Sequence, residues 1–138
     1  LAGLTVLIVD DSDDGREAAE VLLVAAGANV LGFDNAKAAL AALPALRQDV
    51  SRLVVVSDVA MPGMDGYEMM RALRRAEGSA ALPHLYAIAL TAFTGPDERT
   101  RAHDAGFDDY LGKPFDPATL IAALAASAHR GKMGVGGP

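Results

Sequence analysis

The sequence predicts an α/β fold, doubly wound, in which one parallel sheet carries helices on both faces. Three observations predict it. Short β-branched or Leu-rich runs alternate with longer Ala-rich amphipathic segments five times along the chain. Such strict alternation requires crossover connections, which are right-handed and carry the helices to the two faces of the sheet. Hydrophobic residues make up 51% of the 138 residues and charged residues 22%, a balance that suits a folded core and argues against disorder. A chain of this length buries about two-thirds of its unfolded surface, enough for one full core.

Residues 4–9 (LTVLIV) form the first expected strand, closed by Asp10 and Asp11. A helix follows over residues 13–26, with Ala18, Val21, Leu22 and Ala25 at helical spacing and Gly27 just past its end. Residues 29–33 are the second strand and 36–43 the second helix, which Pro44 is expected to stop. The run 53–56, extended by Ser57, is the most continuous apolar stretch and reads as a central strand covered on both faces. It ends at Asp58. Asp65 and Glu68 then match a capping box at the start of a third helix, expected to reach Ala76 with Gly78 as its terminator. Residues 85–90 are the fourth strand, finishing at Thr91. The fourth helix starts near Thr94, with Pro96 and Asp97 in its first turn, and stops at Ala105-Gly106. Residues 107–111 are the fifth strand. Asp116 caps the last helix, with Pro117 at its first position and Leu120, Ile121 and Leu124 facing inward. One domain is therefore expected over residues 1–130, with an aperiodic, flexible tail over 131–138.

Composition excludes several classes of function. There are no cysteines, hence no disulfides and no thiolate metal sites. Net charge is −6 and the arginines form no basic stripe, which argues against direct nucleic-acid binding. No apolar run is long enough for a membrane span and no signal peptide is visible, so a cytoplasmic protein without membrane contact is expected. Leu1 stands where an initiator Met is usual, which suggests a piece excised from a longer chain.

In an open parallel sheet, ligands bind beyond the carboxyl ends of the strands. Polar residues sit at those ends here: Asp10-Asp11 after strand one, Asp58 after strand three, Thr91 after strand four, and Lys113 soon after strand five. Three carboxylates gathered there repel by roughly 4 kcal/mol per pair at 4 Å and an effective dielectric near 20. A hard divalent ion relieves this, and Mg²⁺ needs only one or two protein carboxylates beside water and phosphate oxygens. The Lys113 ammonium and the Thr91 hydroxyl suit phosphate oxygens. A carboxylate nucleophile, a metal, a lysine and a hydroxyl suffice for phosphoryl transfer to Asp.

The strings LIVDD, SDVAMPGMDG, ALTA and GKPF, in this order and spacing, resemble the receiver domain of bacterial response regulators and hybrid histidine kinases over residues 4–126. The resemblance implies a flavodoxin-like (βα)5 fold with strand order 2-1-3-4-5. It implies that Asp58 accepts phosphate from a phosphohistidine. Asp11 and Asp58 would bind Mg²⁺ with the Ala60 carbonyl, while Asp10 would act through water. Thr91 and Lys113 would bind the phosphoryl oxygens, Tyr110 would be the switch aromatic, and the Lys113-Pro114 bond would be cis. A histidine kinase or histidine phosphotransfer domain would be the donor, and a downstream protein would meet the face made by helix four, strand five and helix five, on a monomer or weak dimer. Such a domain catalyses only its own phosphorylation and dephosphorylation. The wording of residues 89–115 is similar to receivers at the C-terminus of hybrid histidine kinases, with a stand-alone regulator close behind. Ala60 and Phe93 depart from many relatives and flank the path of a hydrolytic water, so phosphoryl lifetime does not carry over from the family.

Simpler readings compete at each position. Asp10, Asp11 and Asp13 also suit N-caps and loop solvation, and the partial calcium-loop pattern from Asp10 to Gly15 fails because Val21 occupies the bidentate position. Met61, Met64, Met69 and Met70 read as packing. His84, His103 and His129 read as surface residues, and Asp108-Asp109 as a solvated strand edge. Two rival functions are a pseudo-receiver, which interacts without carrying phosphate, and a Mg²⁺-dependent phosphohydrolase using Asp11 and Asp13 as an Asp-x-Asp pair. The first lacks the expected loss of a site residue, and the second leaves Asp58 and GKPF unexplained.

Overall fold

The computed structural model describes residues 1–93 and 95–136, with side chains through residue 127. The elements alternate as β1 (Thr5–Val9), α1 (Asp13–Ala25), β2 (Asn29–Phe33), α2 (Ala36–Asp49), β3 (Leu53–Asp58), α3 (Gly66–Ala80), β4 (Tyr86–Thr91), α4 (Pro96–Ala105), β5 (Asp109–Gly112) and α5 (Pro117–Gly136). All strand pairs are parallel, in the order β2-β1-β3-β4-β5. This is the flavodoxin-like arrangement.

Side-chain alternation along the central strands builds two cores. Leu7, Val9, Leu53 and Val55 point to the face covered by α2, α3 and α4, where they meet Leu43, Met69, Met70 and Leu73. Val6, Ile8, Val54 and Val56 point to the opposite face and meet Leu23, Leu120 and Leu124 from α1 and α5. Successive strand residues face opposite ways, so a strand buried on both sides must be apolar at every position. Among the described residues no helix is long and apolar enough to cross a membrane.

Three expectations are corrected. Helix α1 buries Leu23 and partly Ala19 and Leu22, while Val21 is 72% exposed, so its inward face lies one residue beyond the one expected. Pro44 does not end α2 but lies inside it. A helical proline costs about 3 kcal/mol. Here Pro44 is exposed, and the turn beyond it is anchored by Leu46 and Val50 against the core and by Arg47 on Glu77. Gly78 does not end α3, which continues to Ala80 and stops at Ala81, whose φ of 53° is left-handed. Helix α5 runs to Gly136, and residues 137 and 138 lie outside the described residues. The start expected for α4 at Thr94 also falls outside the described residues; the helix begins at Pro96 behind Gly95.

Candidate functional site

Strand register carries the distant polar residues to one edge. Ser57 pairs with Val9, Asp58 with Leu90, and Thr91 with Gly112. Asp10 therefore follows β1 level with Asp58 on β3, and Lys113 follows β5 beside Thr91. The Lys113 N–H donates to the Thr91 carbonyl at 2.6 Å, and the Lys113-Pro114 bond is cis.

Asp10 is buried and fixed at several polar atoms. Its N–H donates to the Phe33 carbonyl at 3.0 Å, its Oδ1 accepts from the Ser12 N–H at 2.9 Å, and its carbonyl accepts from Arg16 Nη1 at 2.9 Å. Ser12 then caps α1 by accepting from the Gly15 N–H. A side chain at Gly15 would put Cβ 2.9 Å from Asp10 Oδ2, so that carboxylate would have to shift to make room. Asp11 is exposed.

One carboxylate oxygen each from Asp10, Asp11 and Asp58 lies within 4.8 Å of the others. Burial pushes the Asp58 carboxyl up, contact with Lys113 pulls it down, and nearby Asp10 pushes it up again, leaving it above its ordinary value. Lys113 Nζ stands 2.5 Å from Asp58 Oδ1. The donor set is all oxygen and mostly buried, three carboxyls against the one ammonium on Asp58, and it fits a hard divalent cation.

Gly66, at the start of α3, is a further requirement. A Cβ there would lie 2.5 Å from the Asp58 carbonyl oxygen and 2.9 Å from Val59 Cα, so the helix can approach the loop after Asp58 only without a side chain. The capping box that starts this helix is present: the Asp65 side chain accepts from the Glu68 N–H at 2.8 Å, and Glu68 accepts from the Asp65 N–H at 3.2 Å.

Other expected residues are near the edge but otherwise engaged. The Thr91 hydroxyl accepts from the Phe93 N–H at 3.0 Å and donates to the Phe93 carbonyl at 3.3 Å, so its own loop holds it. Tyr110 packs partly against the core, with the Arg99 guanidinium 5.1 Å from its ring centre. Ala60 lies exposed in the loop after Asp58, and Phe93 is exposed in the loop after Thr91. Asp13 stands outside the acidic cluster and pairs with Arg16 at 2.7 Å, which removes the Asp-x-Asp pair of a phosphohydrolase.

Asp108 is not a solvated edge residue. Its Oδ2 accepts from the Ala87 N–H at 2.8 Å and meets Arg74 at 3.1 Å, while its Oδ1 lies 2.8 Å from His84 Nε2. Sequence reasoning missed Gly15, Arg16 and Gly66 at the site, and Glu77 beneath the sheet. A glycine needed for close approach, or a charge needed for a carbonyl across a turn, has no periodic signal.

The family model for the response regulator receiver domain matches residues 6–125. The chain is 43% identical over 121 residues to an uncharacterized 14.6 kDa protein from the sodA1 3′ region of Leptolyngbya boryana, covering 88% of this chain and 87% of that one. It is 35% identical over 130 residues to the phosphate regulon transcriptional regulatory protein PhoB of Pseudomonas aeruginosa, covering 94% of this chain and 54% of that regulator. The fold is similar to that of the Vibrio cholerae chemotaxis protein CheY4, with TM-score 0.74 and 32% identity over 90% of this chain and 98% of that one. The matched span, the strand order and the acidic edge agree, and the chain belongs to the response regulator receiver domain family of two-component signalling.

Proposed function

We propose that Asp58 is the phosphoacceptor, taking a phosphoryl group from the phosphohistidine of a histidine kinase or histidine phosphotransfer domain. The observation that carries this is the meeting of Asp10, Asp11 and Asp58 within 4.8 Å with Lys113 Nζ 2.5 Å from Asp58. An Asp58 carboxylate oxygen bonds to phosphorus, the phosphorus–nitrogen bond breaks, and the imidazole nitrogen keeps the electron pair. Asp11, Asp58 and the Ala60 carbonyl would hold Mg²⁺, with Asp10 acting through water. The metal supplies positive charge where negative charge gathers on the transferring oxygens.

The residues of the chain do the rest. The Lys113 ammonium exchanges the Asp58 carboxylate for a phosphoryl oxygen, which keeps the charge paired as the nucleophile is consumed. The Thr91 hydroxyl leaves Phe93 and donates to a second phosphoryl oxygen. Tyr110 follows it inward, and the change reaches a downstream protein through the α4-β5-α5 face. This reading puts the domain in the cytoplasm, with its donor.

Acetyl phosphate with Mg²⁺ serves as the test donor. Mass spectrometry is expected to find one added phosphoryl group, strongly suppressed without metal and abolished in Asp58→Asn. Label persisting in that variant, or located on Ser, Thr or His, refutes the assignment.

A further inference from the structure

Helix α1 carries a cation aimed back at the acidic edge. Helical side chains lean toward the N-terminus of their own helix, and Arg16 follows that direction to reach the turn that bears Asp10 and Asp11. Its Nη1 donates to the Asp10 carbonyl at 2.9 Å and its Nη2 to Asp13 Oδ1 at 2.7 Å, while Nε stands 3.8 Å from Glu20 Oε1. The side chain is only 16% exposed.

Strand β2 supplies an independent observation. Its sequence is NVLGF, and a glycine inside a strand weakens it unless something approaches closely. A Cβ on Gly32 would lie 2.0 Å from Glu20 Oε1 and 3.1 Å from Arg16 Cδ. Glu20 and Arg16 thus lie over the bare Gly32, and a side chain there would displace the Glu20 carboxylate and crowd Arg16.

We propose that Arg16 is a positioning residue for the metal: by holding the Asp10 carbonyl it sets the turn that presents Asp10 and Asp11 to Asp58. The proposal rests on the reading of this cluster as a Mg²⁺ site. Two effects of Arg16 on a bound cation have opposite signs. Its positive charge repels Mg²⁺, so its removal would tighten binding. Its hold on the turn aligns the carboxylates, so its removal would weaken binding. The geometry favours the second effect, because Asp13 and Glu20 offset the charge locally, whereas Arg16 is the only side chain among the described residues that donates to the Asp10 carbonyl. Groups that orient metal ligands without touching the metal are worth about 10- to 100-fold in affinity.

The test is calorimetric titration of the full chain with Mg²⁺ alone, alongside the thermal midpoint of each metal-free protein. Arg16→Lys keeps the charge and loses the fork, and Arg16→Met loses both. Gly32→Ala keeps the guanidinium while displacing Glu20 and crowding Arg16 Cδ, so it shows whether disturbing the surroundings of Arg16, without removing it, reaches the metal. We expect about tenfold weaker Mg²⁺ binding in both Arg16 variants and a smaller loss in Gly32→Ala, measured well below each midpoint. Binding by the unaltered chain with unchanged or tighter affinity in the variants overturns the role of Arg16 alone. No Mg²⁺ binding by the unaltered chain overturns the metal reading, and this proposal with it.

Discussion

Replacing Glu77 by Gln removes a buried charge that ties three elements together far from the acidic edge. The Glu77 side chain, 8% exposed, accepts from Arg47 Nη2 at 2.9 Å, from Arg74 Nη1 at 2.8 Å and from the Leu85 N–H at 2.8 Å. It thereby joins α3 to α2 and to the residue before β4. Breaking a buried pair by removing one partner costs about 3 to 5 kcal/mol. The cost here is lower, because both arginines keep other acceptors: Arg47 the Pro83 carbonyl, and Arg74 the Gly106 carbonyl and Asp108. We expect about 2 to 3 kcal/mol at pH 7, read as a lower urea midpoint at unchanged m, and about a 10 °C drop in Tm.

The effect should also depend on pH. Burial alone would raise the Glu77 carboxyl, but the Leu85 N–H, Arg74 and Arg47 outweigh it and hold the group below its ordinary value. A depressed carboxyl contributes stability that is complete above its unfolded pKa, near 4.3, and is lost as pH falls through the lower folded value. The gap between the native chain and Glu77→Gln should therefore be full at neutral pH and close in acid, below about pH 4. A gap under about 0.5 kcal/mol at pH 7, the usual size for an inconsequential surface change, refutes the tie. So does a gap that persists undiminished into strong acid.

Two further outcomes follow from packing. Gly66→Ala places a Cβ 2.5 Å from the Asp58 carbonyl oxygen, so it should cost about 1 to 3 kcal/mol and slow labelling by acetyl phosphate; unchanged labelling would show that α3 does not constrain the loop after Asp58. Leu120→Ala empties a fully buried position on the opposite face, so it should cost about 2 to 5 kcal/mol in urea unfolding while leaving Mg²⁺ affinity within twofold, a separation that equal loss of both would contradict.

Most of the element order was legible because the signals are local. The apolar runs of β1 and β3 announce strands covered on both faces, and the Asp65–Glu68 capping box announces the start of α3. The edge residues Asp10, Asp11, Asp58, Thr91 and Lys113 were legible for a related reason, since each directly follows or closely trails an apolar run. What misled were signals whose outcome depends on partners. Pro44 and Gly78 are helix breakers by propensity, yet both sit inside helices whose later turns are held by Arg47, Glu77 and neighbouring apolar side chains. The face of α1 was displaced because several small apolar residues in a row leave the helical period ambiguous until the sheet selects Leu23.

Alternation and strand-end chemistry, both carried by neighbouring residues, were determined by the sequence alone: five βα units, one parallel sheet, and a set of acids, a hydroxyl and an amine after the strands. Tertiary structure decided what depends on approach across the chain. It set Lys113 on Asp58 and kept Thr91 with Phe93, and it required Gly66 to be bare. It also drew Asp108 into a network with Arg74 and His84. The reason is physical. A periodic pattern reports which residues leave water, whereas hydrogen bonds, ion pairs and close contacts depend on ångström distances between segments that only the folded chain brings together.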